Sequence, residues 1–385
     1  MQERTIDVVV AGHICLDITP EFDGKNTGSL SDILRPGKLV EVGPPTISSG
    51  GTVSNTGLAL RRLGLEVSLM GKCGNDPFGE ILIDIIRNEA PGAERGMSII
   101  SDENTSYSVV IAVPGSDRIF LHCAGANHTF SSEDIDPDIA GRARVFHFGY
   151  PPIMRRMYEN SGKELAAVLG GARQRGAVTS LDMSLPDPNS DSGRADWRSI
   201  LSEALPHTCI FMPSIEELMF MLKKKRFDEL SAQQGDFTQW ITADDLRELA
   251  GECIDMGADV VVIKCGALGA YLKSSGSPRR LEPITDSILQ WENIEIFEPA
   301  CTVNNIKSAT GAGDNAIAGF LAAFIKGMAP EKCMQTLAIV GAHNLSSVSA
   351  VGGVRPWEET LAELNANPPR ITPPRRLHGI PPLRI

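Results

Sequence analysis

The chain has 385 residues, of which 42% are hydrophobic and 22% charged, and this composition excludes disordered, collagen-like and coiled-coil proteins. Its formal net charge of −12 disfavours nonspecific attraction to nucleic acid or to a membrane surface, so we expect neither as a partner. The eight cysteines show no CxxC spacing, and we find no signal-peptide pattern and no apolar run long enough to span a bilayer. These features predict a cytoplasmic protein with free thiols.

Short apolar runs rich in β-branched residues alternate with longer segments of helical spacing. The runs predicted as strands are residues 6–11, 66–70, 145–148, 178–181, 209–212 and 260–263. The segments predicted as helices are residues 54–63, 78–88, 162–175, 215–222, 243–256, 316–325 and 331–348. Because several strands are apolar throughout, both faces of their sheet must be covered. The pattern predicts the α/β class, with a doubly wound, mostly parallel sheet flanked by helices.

One region departs from this alternation and predicts a small separate β-sheet. Residues 105–113 and 118–123 alternate as antiparallel strands do, with a turn at residues 114–117 between them. Residues 38–47 are predicted to join these strands. The resulting small sheet would form a flap beside the main domain.

Two polar stretches and the end of the chain lie outside both patterns. Residues 223–239 and 274–305 are interpreted as surface insertions. The tail, residues 365–385, is rich in Pro and Arg and is predicted to be an extended arm. No internal repeat of fixed period is visible in the chain.

The sharpest motif is Thr310-Gly311-Ala312-Gly313-Asp314, which leads directly into a predicted helix. Glycine permits backbone angles closed to other residues, so the N–H groups of this turn can converge on one point. The start of a helix adds unsatisfied donors and a positive dipole end, which together make an anion site. A carboxylate beside such a site is useful where a hydroxyl must lose its proton while it attacks phosphorus. One interpretation of the motif is therefore phosphoryl transfer with Asp314 as the general base.

Two other interpretations of this motif remain open on the sequence alone. Asp314 can be a helix cap after a glycine-rich turn. Gly311, Gly313 and Ala316 also fit the GxGxxG/A dinucleotide fingerprint, which needs an apolar strand before it; residues 303–309 are a poor strand, which disfavours that interpretation. The GxxxxGK[ST], HExxH and GxSxG motifs are absent, which excludes P-loop kinases, zincins and α/β-hydrolases with their usual signatures.

A second glycine motif, Gly50-Gly51, precedes the first long predicted helix, on which Asn55 lies. Paired glycines let the backbone approach a polar ligand, and the Asn55 amide both donates and accepts, which suits a polyol. Asp17 follows the first predicted strand, and the carboxyl ends of parallel strands form the edge where open α/β sheets bind ligands. Each feature also has a purely structural interpretation.

In this order, the motifs resemble those of the ribokinase-like (PfkB) carbohydrate kinases, from about residue 7 to residue 356. SGGTVSNTGLALRRLG followed by GKCGNDPFG resembles the family's amino-terminal signature, and SATGAGDNAIAGFLAAF resembles its carboxyl-terminal one. Residues 125–127, 214–217 and 264–269 fall where the family has further elements. The resemblance implies ATP-dependent phosphorylation of a hydroxyl of a sugar, with Mg²⁺ as a cofactor.

The resemblance also implies roles for individual residues. Asp314 is expected to be the general base, with an anion hole formed by Gly311, Ala312 and Gly313. The residues expected to bind the substrate are Asp17, Gly50, Gly51, Asn55, Cys15 and Asn127. Those expected to bind the nucleotide are Lys264, Gly266, Ala267, Gly269 and Ser214. Glu217 is expected to act on the metal ion through water.

The family pattern further implies a kinase domain over residues 1–364, with the tail, residues 365–385, outside it. Its lid is expected to come from about residues 14–49 and 105–127, to cover the sugar and exclude water. A homodimer paired through this lid is an expectation of the same kind.

Several positions depart from the family pattern, among them residues 181–184, which match its Asp-x-Asn-x-Arg stretch only in part. Ser214 replaces the usual amide side chain three residues before Glu217. Ser308 replaces an Asp, which weakens the expectation of a monovalent-cation site. Lys264 stands where the family often has Thr and can add positive charge near the phosphates. We therefore expect altered activation, and two alternatives remain: a nucleoside kinase of the same family, or a catalytically weak nucleotide- or sugar-binding protein.

Four ring side chains near the predicted site have two interpretations each. His13, His122 and His128 can contact the substrate or make structural hydrogen bonds. Tyr150, at the end of a buried strand, can stack on a sugar or a base, or it can simply pack.

Overall fold

The computed structural model describes residues 4–22, 33, 35–113, 119–347, 349–377 and 379–380. Its strands are, in chain order, β1 (Ile6–Gly12), β2 (Cys15–Glu21), β3 (Gly43–Gly50), β4 (Val67–Met70), β5 (Lys72–Gly74), β6 (Ser98–Ile100), β7 (Tyr107–Ile111), β8 (Ile119–Cys123), β9 (Ala143–Gly149), β10 (Val178–Leu181), β11 (Ile210–Phe211), β12 (Val260–Lys264), β13 (Gly269–Ser274) and β14 (Glu295–Pro299). Its α-helices are α1 (Thr52–Arg62), α2 (Pro77–Glu89), α3 (Pro137–Gly141), α4 (Arg155–Tyr158), α5 (Lys163–Gln174), α6 (Asp191–Arg194), α7 (Trp197–Ala204), α8 (Ile215–Leu222), α9 (Lys224–Ser231), α10 (Ala243–Asp255), α11 (Ala312–Ile325), α12 (Pro330–His343) and α13 (Trp357–Ala366).

The main sheet has the strand order β14-β13-β12-β11-β10-β9-β1-β4. Neighbours from β12 to β4 pair parallel, and β13 and β14 add an antiparallel edge. Side chains of β1 alternate between two cores: Val9 packs on one side of the sheet, and Val8 and Val10 pack on the other. All three are fully buried, because helices cover both faces. The predicted α/β class with a mostly parallel sheet is confirmed.

The small separate sheet is also present, with the strand order β3-β2-β7-β8. The prediction of a strand over residues 38–47 was wrong at its start, because β3 begins at Gly43 and runs to Gly50. Strand β2 was not predicted, since its sequence, CLDITPE, lacks a clear alternation. The turn predicted at residues 114–117 lies outside the described residues, as do residues 23–32 of the predicted lid.

The interpretation of residues 274–305 as a surface insertion was wrong in part. This stretch contains β14, the edge strand of the main sheet, and the fully buried Trp291. The stretch looked exposed because it contains charged residues such as Glu298. In the structure Glu298 of β14 is buried and is paired with Arg370 at 2.7 Å. The other polar stretch, residues 223–239, forms α9 and a short 3₁₀ helix.

The described part of the tail lies against the body of the protein. Arg370 pairs with Cys301 in an isolated β-bridge. The Arg376 Nε donates to the carbonyl oxygen of Ile241 at 3.0 Å. Leu377 and Ile380 are buried in the core on one side of the main sheet.

Over the described ranges, we find no helix with both the length and the apolar character that crossing a membrane requires.

Candidate active site

The order of the main sheet indicates where a ligand binds. From β1 the sheet continues to β4 on one side, and from β9 it continues to β10, β11 and β12 on the other side. The topological switch point therefore lies between β1 and β9. Their last residues, Gly12 and Gly149, are paired. Open α/β sheets bind ligands in the crevice outside the carboxyl ends of the strands at this point. His13 and Tyr150, which follow the two strands, therefore lie at the expected mouth of the site.

The glycine-rich turn begins α11 next to this crevice. Gly311 caps the helix with a φ of 73°, and a Cβ at this position would lie 2.4 Å from the carbonyl oxygen of Ala350. Only glycine meets both conditions. The Ala312 N–H donates to Ala309 O at 3.2 Å, whereas the N–H groups of Gly311 and Gly313 have no acceptor among the described residues. The anion hole predicted from residues 311–313 thus has two open amides and one that is already bonded.

Asp314 lies in the first turn of α11 and is buried, with 4% of its surface exposed. Its carboxylate accepts hydrogen bonds from Asn55 Nδ2 at 3.0 Å and Thr56 Oγ1 at 3.4 Å. The Tyr150 hydroxyl lies 2.9 Å from each carboxylate oxygen. Burial raises the pKa of Asp314, while these hydrogen bonds and the charge of Lys264 oppose that effect.

This geometry decides two questions that the sequence left open. Gly311 is the N-cap of α11, and the Asp314 side chain makes no capping bond, so the helix-cap interpretation is wrong. Residues 303–309 form no strand, so the turn lacks the strand that a dinucleotide fingerprint requires.

A buried lysine approaches the same turn from β12. Lys264 Nζ donates to Asp182 Oδ1 at 2.5 Å and to Met212 O at 2.6 Å. A Cβ on Gly313 would lie 3.8 Å from Lys264 Cε, so the lysine stem runs beside the open amide of that residue. Burial lowers the pKa of Lys264, but the attraction of Asp182, Glu217 and Asp314 outweighs it, and the pKa is raised. The ammonium group is therefore charged.

The residues after Lys264 form a tight loop between β12 and β13. Residues Gly266–Leu268 are a short 3₁₀ helix, and Cys265 N donates to Gly269 O at 2.8 Å. A Cβ on Gly269 would lie 2.1 Å from Glu298 O of β14. Close packing against the edge strand therefore accounts for glycine at position 269.

Ser214 and Glu217 form a capping box at the start of α8. Ser214 Oγ accepts from Glu217 N at 3.3 Å, and Glu217 Oε2 accepts from Ser214 N at 2.6 Å. Ser214 is also paired with Lys264 in an isolated parallel bridge, which brings α8 beside the lysine. Glu217 Oε1 has no donor among the described residues.

The donor set near Glu217 fits a magnesium ion that arrives with a nucleotide. Over the described residues, no group of three or more His, Cys, Asp or Glu side chains is arranged to hold a metal. Mg²⁺ commonly keeps several waters and binds through one or two carboxylates plus substrate phosphates. The single open oxygen of Glu217 meets that requirement.

The predicted substrate residues lie on β2, β3 and the loops beside them. Asp17 is within β2 rather than just past the first strand, and a Cβ on Gly50 would lie 2.2 Å from its carboxylate. Burial raises the pKa of Asp17, although hydrogen bonds from Cys15 and Ser108 oppose it. The Cys15 Sγ donates to Asp17 Oδ1 at 3.4 Å. The buried Cys15 and the half-buried Asp17 thus form one hydrogen-bonded unit of the small sheet.

Asn127 and Gly51 contact the segment that leads into β2. Asn127 accepts from Ile14 N at 3.2 Å and donates to Ile14 O at 2.8 Å, so its amide braces the chain that leads into β2. Gly51 has a φ of 83°, and a Cβ there would lie 2.6 Å from His13 Nδ1. Of the predicted substrate residues, only Asn55 contacts the Asp314 carboxylate.

Sequence reasoning missed that Tyr150 and Thr56 contact Asp314. Thr56 follows Asn55 directly on α1, and its position in the predicted helix was the available signal. Tyr150 is separated from Asp314 by 164 positions, and no local pattern reports such a contact.

Comparisons with known proteins identify the family of this chain. A model of the pfkB family of carbohydrate kinases matches residues 6–354. The chain is 24% identical over 279 residues to an uncharacterized sugar kinase of Archaeoglobus fulgidus, covering 72% of this chain and 90% of that protein. It is 26% identical to a probable fructokinase-4 of Arabidopsis thaliana, covering 58% of this chain and 64% of that protein. The match thus spans less than two thirds of the plant relative.

Solved structures show the same fold. The ribokinase of Arabidopsis thaliana, complexed with ribose and ATP, superposes with a TM-score of 0.69 at 17% identity, covering 93% of this chain and 98% of that one. A fructokinase from Xylella fastidiosa with bound ATP gives 0.68 at 18% identity, covering 93% and 98%. These structures show that the chain has the ribokinase fold. The chain belongs to the pfkB family of carbohydrate kinases.

Proposed function

We propose that this protein transfers the γ-phosphoryl group of ATP to a hydroxyl of a sugar. The observation that carries the proposal is the buried Asp314 carboxylate in the first turn of α11, beside the open amides of Gly311 and Gly313. This combination offers a proton acceptor and an anion site within one helical turn, as phosphoryl transfer to an alcohol needs.

In this mechanism the acceptor hydroxyl is hydrogen-bonded to Asp314. Its oxygen forms a bond to the γ-phosphorus, the bond from that phosphorus to ADP breaks, and Asp314 accepts the hydroxyl proton. The Gly311 and Gly313 amides stabilise negative charge on the transferring group. Asn55 and Thr56, both on α1, orient the carboxylate through the hydrogen bonds described above.

The nucleotide is proposed to lie along β12 and the loop after it. Lys264 supplies a charged ammonium group beside Gly313, and Gly266, Ala267 and Gly269 shape the loop that would line the ATP. Ser214 positions the start of α8 beside Lys264. Mg²⁺ supplies charge neutralisation on the phosphates when bound, and Glu217 would hold it through water. A related protein, a putative ribokinase II from E. coli, was solved in complex with ATP and Mg²⁺.

The small sheet is proposed to be a lid over the sugar. Asp17 and Asn55 would bind its hydroxyls, with Gly50 and Gly51 allowing close approach of the backbone. In this arrangement Cys15 and Asn127 act by holding β2 in place. Closure of the lid would exclude water, which otherwise competes with the sugar as acceptor.

A nucleoside acceptor is a second candidate, supported by the rings at the mouth of the site. His13 and Tyr150 have ring centroids 6.2 Å apart and nearly parallel planes, at 29°. Because His13 is buried behind it, the half-buried Tyr150 ring is the one that can stack on a base as well as on a sugar. A fold neighbour of this kind is a nucleoside kinase from Methanocaldococcus jannaschii, with a TM-score of 0.64 at 16% identity.

The test is ATP consumption with a panel of sugars and nucleosides, measured for the wild type and for Asp314→Asn. We expect turnover with a sugar, and a fall in kcat of about 10²–10⁴-fold in the variant, the usual contribution of a general base. Asp84→Asn is the matched control, because Asp84 is exposed on α2 and bonded only to its neighbour Arg87.

Two results would contradict the proposal. Undiminished turnover in Asp314→Asn would remove the assigned base. Stabilisation of the wild type by ATP and a sugar, with no turnover, would instead support the alternative of a nucleotide- or sugar-binding protein.

A further inference from the structure

The side chain of Tyr150 lies on the group that the proposed reaction needs free. Its hydroxyl is 2.9 Å from Oδ1 and 2.9 Å from Oδ2 of Asp314. Asn55 and Thr56 contact the same carboxylate from α1, one on each oxygen. With these three donors in place, the two oxygens have little remaining capacity for a fourth.

The three donors differ in how readily they can leave. Asn55 and Thr56 belong to a helix whose residues from Thr52 to Leu60 are all buried. Tyr150 is only half-buried and belongs to the loop after β9, at the carboxyl edge of the sheet. Tyr150 is therefore the donor that an incoming acceptor can replace most readily.

The backbone of Tyr150 is held in a conformation that few residues adopt. Its φ is 66° and its ψ is 39°, in the left-handed region that disfavours residues with a Cβ. Pro151 follows it, and a proline further restricts the backbone of the residue before it. Outliers of this kind cluster at ligand clamps and switch regions.

The ring beside Tyr150 supplies a second and independent observation. His13 is 2% exposed, yet neither of its ring nitrogens has a hydrogen-bond partner among the described residues. Burial and the neighbouring His122 and His128 lower the pKa of His13, so the ring is neutral and offers one donor and one acceptor. A buried ring with both nitrogens open is explained when a ligand supplies the partners.

We propose that the Tyr150 hydroxyl occupies the position that the acceptor hydroxyl takes in the reaction and that the substrate displaces it. The inference rests on the proposed function and adds a positioning residue to it. While Tyr150 is in place, water cannot reach the base. When a polyol displaces it, hydroxyls of the polyol bind Asp314 and the open nitrogens of His13. Tyr150 thereby selects for acceptors that make several hydrogen bonds at once.

The test is ATP hydrolysis without any sugar, compared between the wild type and Tyr150→Phe. In this reaction a water oxygen bonds to the γ-phosphorus, the bond to ADP breaks, and the water proton passes to Asp314. The variant keeps the ring that stacks on His13 and loses only the hydroxyl. We expect hydrolysis to rise about tenfold or more, as removal of a hydrogen bond to a charged group implies.

A second readout separates displacement from a merely structural role. With a sugar that the wild type phosphorylates, Tyr150→Phe should lower KM about tenfold and change kcat by a smaller factor, because no hydroxyl has to be displaced on binding. Tyr158→Phe is the matched control, since Tyr158 packs against Trp197 with ring centroids 6.5 Å apart and has no contact with Asp314.

The outcomes separate this inference from the proposed function. Unchanged hydrolysis in Tyr150→Phe, a raised KM, or a rise that persists in the double variant with Asp314→Asn would each overturn the inference. If hydrolysis rises and depends on Asp314 but no sugar or nucleoside is phosphorylated, the inference stands and the proposed acceptor class fails.

Discussion

Around Asp314, several influences act on one carboxyl group in opposite directions. Burial raises its pKa, and the hydrogen bonds of Asn55, Tyr150 and Thr56, together with the Lys264 charge, act against burial. The net direction is upward. A buried carboxylate whose pKa is raised is a stronger base than an exposed one, and it remains useful as long as the working pH lies above that pKa.

Replacement of Lys264 by Met should therefore move the pH dependence of the reaction. Asp314 must be ionised to accept a proton, so kcat/KM falls as the pH drops through its pKa. The wild-type acid limb should lie above the ordinary Asp value of about 3.9, and removal of the Lys264 charge should shift it to still higher pH. A pH profile of kcat/KM measures this, with Lys332→Met on the surface of α12 as control.

The same variant tests the ion pair itself. It removes the hydrogen-bond partner of the buried Asp182, whose pKa burial already raises to about 8, and it should lower the free energy of unfolding by about 1–3 kcal/mol. The profile must be recorded below the unfolding temperature of the variant. An acid limb that stays in place would show that Lys264 does not act on the base.

Helix α11 carries the proposed site and packs closely on α12. A Cβ added at Gly319 would lie 2.7 Å from Thr336 O and 2.8 Å from the Val340 Cβ. Because one of these is a backbone atom, the two helices must separate to accept any side chain at this position. The position of the Gly311–Asp314 turn depends on that contact.

Gly319→Ala should lower the free energy of unfolding by about 1–3 kcal/mol, as overpacking does. Gly251→Ala is the matched control: Gly251 lies inside α10, and the nearest atom to its added Cβ is Lys273 Nζ at 3.8 Å. There the substitution should stabilise the protein by about 0.5–1 kcal/mol. Urea unfolding compares the two, and equal effects would contradict the packing argument.

The small sheet presents apolar side chains to solvent. Ile47 on β3 and Leu121 on β8, its two outer strands, are 45% and 57% exposed. Exposed apolar residues on the edge strands of a sheet mark a surface that a partner can cover. This agrees with the expectation of a homodimer through the lid, which stays a prediction.

Light scattering over a range of protein concentrations tests that prediction. We expect a dimer for the wild type and a monomer for Leu121→Glu, because a charge in an apolar interface is desolvated without a partner. Leu289→Glu is the control, since Leu289 is 77% exposed and lies outside the small sheet. A wild type that is monomeric at every concentration would contradict the prediction.

The sequence predicted most of the main sheet because a buried strand can be recognised from its own run of apolar residues. A run such as Val8-Val9-Val10 must be buried on both sides wherever it occurs. Strands β13 and β14, at the antiparallel edge of the sheet, were missed, and the charged position of β14 is satisfied by a distant partner. Glu298 pairs with Arg370, which is 72 positions away in the chain. A local sequence pattern shows only that Glu298 is charged and does not show this partner.

For the site, the sequence alone indicated the kind of chemistry that we propose. The Gly311–Asp314 turn can form an anion site at a helix start because glycine and the helix backbone have that property in any fold. Only the tertiary structure decided what surrounds Asp314. Asn55 and Tyr150 reach the carboxylate from 259 and 164 positions away. Such contacts, and the pKa that they set, depend on how strands and helices pack, because distance in space is not encoded in spacing along the chain.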